Sequence, residues 1–225
     1  MDHSNFSHEE LMAHLSVLAN NALGLWDLPS ESKARLINVS ENATFIVEAP
    51  NDFRSILRVH REEYHSETAI RCEHAWSKAL NNEGGVRTPD ILPGKDGNTI
   101  QSVTSEELGQ ERFLVMFEFV EGSEPEQKDD LTGAFEELGA IAAKTHVHSI
   151  SWRRPDPFER LVWNLDTVFG SNATWGNWRD GPNISLAARQ VLEGVESMVV
   201  QRLTRYGSNS TRFGLIHADM RLANL

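Results

Sequence analysis

The chain has 225 residues, of which 40% are hydrophobic and 24% charged, with a formal net charge of −12. No apolar run approaches the ~18 residues of a membrane span, and the polar, acidic first ten residues do not read as a signal peptide. A single cysteine, Cys72, excludes internal disulfides and suits a reducing compartment, so a cytoplasmic protein is expected. The acidity argues against nucleic-acid binding, which needs a basic surface. It is compatible with a cationic substrate, although the plainer reading is that it keeps the protein in solution.

Ser7 followed by Glu10 makes a capping box. Leu11, Leu15, Leu18 and Ala22 then recur at helical spacing, so residues 8–23 are expected to form an amphipathic helix. From residue 35 the pattern changes to strands. Residues 36–39 and 43–48 flank the polar turn Ser40-Glu-Asn42, and the Pro50-Asn-Asp52 turn leads into a third strand over 53–60. A helix over 66–80 follows, ended by the polar, glycine-containing stretch 81–85. Two more strands are expected at 99–103 and 113–120, separated by an acidic loop around Glu106. Gly122-Ser-Glu-Pro125 breaks the pattern and divides the chain into an N-terminal part, 1–121, and a C-terminal part, 122–225.

Beyond that break, residues 131–146 read as a helix with Leu138, Ile141, Ala142 and Thr145 on one face. Residues 151–182 hold four of the six tryptophans among Pro, Asp and Gly and are expected to form loops and short helices. Another helix covers 185–206. Phe213-Gly-Leu-Ile216 then reads as a short apolar strand that opens onto His217-Ala-Asp-Met-Arg-Leu-Ala-Asn224.

That last stretch carries the chemistry. It sets a histidine, a carboxylate and a carboxamide in the order His-x-Asp-x4-Asn. Phosphoryl transfer needs a carboxylate to orient and deprotonate a hydroxyl, and an oxygen ligand for a magnesium-bound triphosphate. Asp219 and Asn224 fit those roles at the spacing of a kinase catalytic loop. His217 is expected to brace the loop backbone rather than act as a nucleophile. His146, His148 and Cys72 have no partner set that would make them metal ligands or an activated thiolate.

Strand alternation places Ile56, Arg58 and His60 on one face of the third strand, with Leu57 and Val59 on the other. A cation there can reach triphosphate oxygens. In the following helix Glu73 falls on the apolar stripe marked by Ala69, Trp76 and Leu80. An inward carboxylate is costly unless paired, and Arg58 is the natural partner. Glu67 is the competing acid, but at the helix N-terminus it already interacts favourably with the helix dipole. Glu73 is preferred. Backbone amides of the first turn, with Ser40 and Asn42, could bond phosphate oxygens, although no GxGxxG loop is present. The strand ending at Gly122 offers a carbonyl and an amide to an adenine edge, assigned to Glu118 and Val120.

In this order, strand turn, cationic strand, helix with an inward Glu, hinge and His-x-Asp-x4-Asn, the sequence resembles the aminoglycoside phosphotransferase and choline kinase family. The residues that carry the resemblance are Ile56-Leu-Arg-Val-His-Arg61 with Glu73-His-Ala-Trp76, the segment 138–146, and Phe213-Gly-Leu-Ile-His-Ala-Asp219. It spans about residues 34–225. It implies an α+β, protein-kinase-like two-lobe fold: an N-lobe with an antiparallel sheet and a helix, and a mostly helical C-lobe that is incomplete. The implied activity is ATP-dependent transfer of the γ-phosphoryl group to a small-molecule hydroxyl, with ATP and Mg²⁺. Asp219 would be the catalytic base, Asn224 a metal ligand, and Arg58, held by Glu73, a contact to the α- and β-phosphates.

Arg58 stands where many members have lysine, which keeps the charge and changes the geometry. Ala218 replaces a common glycine and is expected to be harmless. The family's metal-binding Asp falls beyond Leu225, so these residues are expected to be a segment of a longer chain with little turnover of their own. Two other readings share the pattern: a kinase of protein or amino-acid hydroxyls, and a nucleotide-binding pseudokinase that serves as an interaction module.

Overall fold

The computed structural model describes residues 6–105, 108–122, 130–171 and 173–220. The first helix, α1 (His8–Ala22), starts at the expected capping box: Ser7 accepts from the Glu10 amide and Glu10 accepts from the Ser7 amide. These two bonds satisfy donors that the first turn would otherwise leave open. Three strands follow in antiparallel order, β1 (Lys33–Val39), β2 (Ala43–Ala49) and β3 (Phe53–Val59). β1 begins earlier than its apolar run suggests because Lys33, Ala34 and Arg35 pair with Glu48, Val47 and Ile46 across the hairpin.

The second helix, α2 (Glu67–Ala79), has Ser66 as its N-cap and widens into a π turn over Leu80–Gly84. Gly85 then leaves in the left-handed region, at φ 63°, which glycine adopts without steric cost. A two-residue strand, β4 (Ile91–Leu92), precedes β5 (Gln101–Thr104) and β6 (Glu111–Glu118). β4 is too short to show a period of two in sequence. It forms because β6 offers it an edge, with Ile91 opposite Phe117 and Leu92 opposite Met116. The path through the sheet is β1-β2-β3-β6-β4, and β5 pairs with the N-terminal half of β6.

Strand alternation gives the sheet two different faces. Phe45, Val47, Leu57, Val59, Leu114 and Met116 point to the side covered by α1, where they meet Leu15, Leu18 and Trp26 in one buried cluster. Burying each of the larger side chains contributes roughly 1.5–3 kcal/mol. The helix is also tied by polar bonds, since the Asn20 side chain bonds both the amide and the carbonyl of Ala34 at 3.0 Å. On the opposite face Val115, with Phe113 and Phe117 beside it, packs against Ile70 of α2 and Ile100.

The helical part comprises α3 (Thr132–Ser151), the short α4 (Leu165–Phe169) and α5 (Leu186–Tyr206). α3 buries Leu138 and Thr145 on the expected face and runs one turn past the expected end. Trp152, just after α3, reaches Trp76 of α2 at 6.5 Å and Phe158 at 6.1 Å between ring centroids, which joins the two parts. Residues 213–216 are not a strand. No strand lies alongside them among the described residues, and Phe213 and Ile216 are half exposed, so their apolar character is not spent on pairing. None of the described helices is long and apolar enough to cross a membrane.

Candidate nucleotide site

The α2-facing side of the sheet carries one polar cluster, and Arg58 is at its centre. β3 presents Arg58 opposite Val115 of β6. Its guanidinium lies over the Phe117 ring, 4.9 Å from the centroid, a placement favoured by the ring quadrupole. Arg58 Nη1 donates to Glu73 Oε1 at 2.8 Å. Glu67, the rival acid, is instead engaged by Arg71 one helical turn along α2. The inward position of Glu73 on the Ala69–Leu80 stripe decides between them, since Glu67 is exposed in the first turn and close to Arg71.

Glu73 has a second cationic partner with no signal in the sequence. Arg160 Nη1 donates to Glu73 Oε2 at 3.3 Å and to the Ala69 carbonyl at 3.1 Å. Arg160 lies in the irregular stretch between α3 and α4, where no periodicity assigns a direction to any side chain. Burial pushes the Glu73 carboxyl pKa up, but Arg58, Arg160 and the hydrogen bond from Arg58 outweigh it and hold the carboxyl below its ordinary value. Glu73 therefore stays ionised, and two guanidiniums around one carboxylate leave a net positive site. A half-buried positive excess on a sheet face favours an anion.

Two histidines, His60 buried and His74 partly buried, complete the cluster. His60 continues the face of β3, and burial first, then Arg58, depresses its pKa to about 3. His74, whose Nδ1 lies 3.2 Å from the Thr99 hydroxyl, is depressed to about 4, chiefly by burial and against the pull of Glu73. Both are neutral at physiological pH, so the charge of the cluster is set by its arginines and by Glu73.

The remaining expected residues divide into three groups. Ser40 and Asn42 sit in the β1–β2 turn, closed by a bond from the Ser40 amide to the Asn42 carbonyl at 3.0 Å. The Asn42 side chain accepts from the Arg61 amide at 3.2 Å, so its oxygen already fixes the turn against the end of β3. At the end of β6 the Glu118 amide donates to the Asp90 carbonyl at 2.8 Å. The Glu118 amide is therefore already engaged at the sheet edge, and Val120 is exposed.

The third group is the terminal loop. His217 and Asp219 are both exposed, and the Asp219 amide donates to His217 Nδ1 at 3.3 Å, so the histidine braces the loop backbone. Ala218 between them has φ 69°. The substitution for glycine is therefore not neutral, because a Cβ in the left-handed region costs roughly 1 kcal/mol. Asn224 lies outside the described residues, as do Glu106 and the segment 123–129 that holds most of the expected break. A cleft of about 830 Å³ between the π turn and the end of α3 is lined by Glu83, Lys144, His148 and Trp152 and includes none of the expected site residues.

An antiparallel sheet with a helix on one face, an arginine–glutamate pair between them and helices after the last strand is the arrangement of the protein-kinase-like fold. Residues 33–225 match the phosphotransferase enzyme family, and the chain belongs to that family. Among solved structures it is similar to the microcompartment-associated aminopropanol kinase, with 37% identity and a TM-score of 0.84 over 93% of this chain and 63% of that one. Amicoumacin kinase hAmiN, solved in complex with AMP-PNP, Ca²⁺ and Ami, has 20% identity and a TM-score of 0.67 over 95% of this chain and 61% of that one. At that identity the likeness is one of fold. The chain thus spans less than two thirds of the length of either kinase. No curated protein matches the sequence.

Proposed function

We propose that the protein is an ATP-dependent kinase that phosphorylates the hydroxyl of a small amino alcohol. The observation that carries this reading is the Arg58–Glu73 pair on the α2-facing side of the sheet, in a chain of the phosphotransferase enzyme family. Residues 1–121 form the nucleotide-covering part in this reading, and residues 122–225 belong to the helical part that bears the catalytic loop. Arg58 contacts the α- and β-phosphates of Mg·ATP, with Ser40 and the amides of the first turn above them. The adenine edge meets the Glu118 carbonyl and the Val120 amide.

The acceptor oxygen attacks the γ-phosphorus, the bond from that phosphorus to the β–γ bridging oxygen breaks, and ADP leaves. Asp219 orients the acceptor and takes its proton, and His217 holds the backbone of Asp219. Asn224 would be a protein ligand of the magnesium that accompanies the nucleotide, and the ion would supply charge neutralisation to the triphosphate. Catalysis of this kind is positioning plus electrostatics.

Two features favour an amino alcohol over other acceptors. The net charge of −12 is compatible with a cationic substrate and favours an amino alcohol over a neutral or anionic acceptor, though not over choline or an aminoglycoside. The more similar of the two solved structures is named as an aminopropanol kinase. A cytoplasmic location fits the single cysteine, which lies buried and free in α2. The test is an ADP-release assay on the full-length protein with Mg·ATP over aminopropanol, choline, homoserine and aminoglycosides. Turnover with aminopropanol above the other acceptors is expected. ATP binding with no ADP release for any acceptor would replace the kinase by a nucleotide-binding interaction module.

A further inference from the structure

We infer that Arg160 is a positioning residue of the nucleotide site: it holds Glu73 by the carboxylate oxygen that Arg58 leaves, and so ties the direction of Arg58 to the segment after α3. This rests on the nucleotide reading above and adds a residue to it. Glu73 Oε1 takes Arg58 at 2.8 Å and Oε2 takes Arg160 at 3.3 Å, so each oxygen has its own guanidinium. Among the described residues Arg58 meets Glu73 through Nη1 alone, a one-point contact rather than a bidentate pair, while Arg160 takes the other oxygen. The Arg58 fork is left with free N–H groups for an anion.

The segment around Arg160 is fixed to α2 by more than this pair. The same guanidinium nitrogen bonds the Ala69 carbonyl at 3.1 Å. Cys72, on the next turn, lies 3.6 Å from the Pro157 carbonyl and accepts from the Glu159 amide at 3.4 Å. Phe158 stands edge-on to Trp152 at 6.1 Å, and Trp152 reaches Trp76. Residues 152–160 therefore run along α2 from Trp76 to Ala69 and close on the acid that orients Arg58. A triphosphate that draws on Arg58 leaves Glu73 facing more negative charge, and Arg160 is the cation that keeps the carboxylate compensated.

The test compares the full-length wild type with Arg160→Ala, Arg160→Lys, Glu73→Gln and the Glu73→Gln/Arg160→Ala double variant. Mg·ATP affinity is measured by calorimetry, and circular dichroism confirms that each variant is folded. Arg160→Ala should weaken ATP binding about fivefold, as expected for one partly exposed charged pair. Arg160→Lys should recover part of the loss, and in the Glu73→Gln background Arg160→Ala should add nothing. In turnover the effect should fall on KM for ATP, with kcat nearly unchanged. An unchanged affinity in Arg160→Ala, or a loss equally large in the Glu73→Gln background, would overturn the inference.

Alkylation of Cys72 by iodoacetamide separates this failure from failure of the nucleotide reading. Cys72 is buried beneath residues 157–159, so release of Arg160 should speed its modification whether or not nucleotide is present. Faster alkylation in Arg160→Ala together with no ATP binding by the wild type would sink the nucleotide reading, and the positioning role with it, and leave only a structural clamp. Equal alkylation rates in wild type and Arg160→Ala would show that Arg160 does not hold the segment, and would sink the inference alone.

Discussion

Arg58 of β3 and Glu73 of α2 meet at 2.8 Å across the sheet–helix interface, with side chains only about a third exposed, at 33% and 28%. The pair links β3 to the helix that packs against the sheet. Glu73→Ala should therefore raise KM for ATP about fivefold, from the roughly 1 kcal/mol of a partly exposed pair. Arg58→Ala should cost more, roughly 10- to 100-fold, because it also removes charge-assisted bonds to phosphate. Glu67→Ala should leave KM unchanged, since Glu67 is spent on Arg71 at the exposed start of α2. Steady-state kinetics with ATP as the varied substrate would settle all three, and a large effect at Glu67 would reverse the assignment.

Asp219 is the group on which the chemistry depends in the proposed mechanism. Asp219→Asn keeps the size and the loop backbone, including the amide bonded to His217, but cannot take the acceptor proton. A positioned general base contributes about 10²–10⁴-fold, so ADP release by the full-length protein should fall by that factor. Mg·ATP affinity should stay nearly the same. Turnover that survives in Asp219→Asn would remove Asp219 as the base.

Much of this was legible because patterning and geometry agree. The capping box at Ser7, the stripe of Leu15, Leu18 and Ala22, and the alternation that sets Arg58 apart from Leu57 all follow from fixed periods, and the structure repeats them. Glu73 was readable as an acid that a buried stripe cannot leave unpaired. Arg160 was not, since a side chain in an aperiodic loop has no direction until the tertiary contacts supply one. β4 was hidden for a related reason: two residues are a strand only because β6 lies beside them. The converse error was the apolar run 213–216, which has the composition of a strand but no neighbour to pair with among the described residues. Hydrophobicity marks a preference for burial, and the sheet that would satisfy it has to be present.

The left-handed backbone at Ala218 gives a prediction opposite to the usual effect of glycine. In most positions Ala→Gly loosens a protein by enlarging the freedom of the unfolded chain. At φ 69° the relief of Cβ strain outweighs that term. Ala218→Gly should stabilise the folded loop by up to about 1 kcal/mol. Hydrogen exchange of the Asp219 amide, which reports the bond to His217, should slow in the variant. Faster exchange would show that the alanine is not strained there.

Buried His60, with the partly buried His74 and His65, sets how the fold responds to acid. In the folded protein His60 has its pKa lowered to about 3 and His74 to about 4, whereas in the unfolded chain each titrates near 6.5. The unfolded state therefore binds protons first. Stability is full above pH ~6.5 and falls as the pH drops through the range between the unfolded and folded values. Glu73, depressed from 4.5, adds its own loss only below that value. Thermal unfolding should thus be flat from pH 8 to about 7, with the midpoint falling from pH 6.5 downward, before carboxylates take part.

Among the described residues neither ring nitrogen of His60 has a hydrogen-bond partner, so an apolar replacement abandons no bond there. His60→Leu should flatten the pH 6.5–4.5 limb by up to one proton's worth of slope, about 1.4 kcal/mol per pH unit. His74, bonded to Thr99, and His65, also lowered chiefly by burial, would account for what slope remains. An unchanged slope in His60→Leu would mean that His60 takes up its proton without leaving the fold, and that burial, with Arg58 beside it, does not keep the ring neutral.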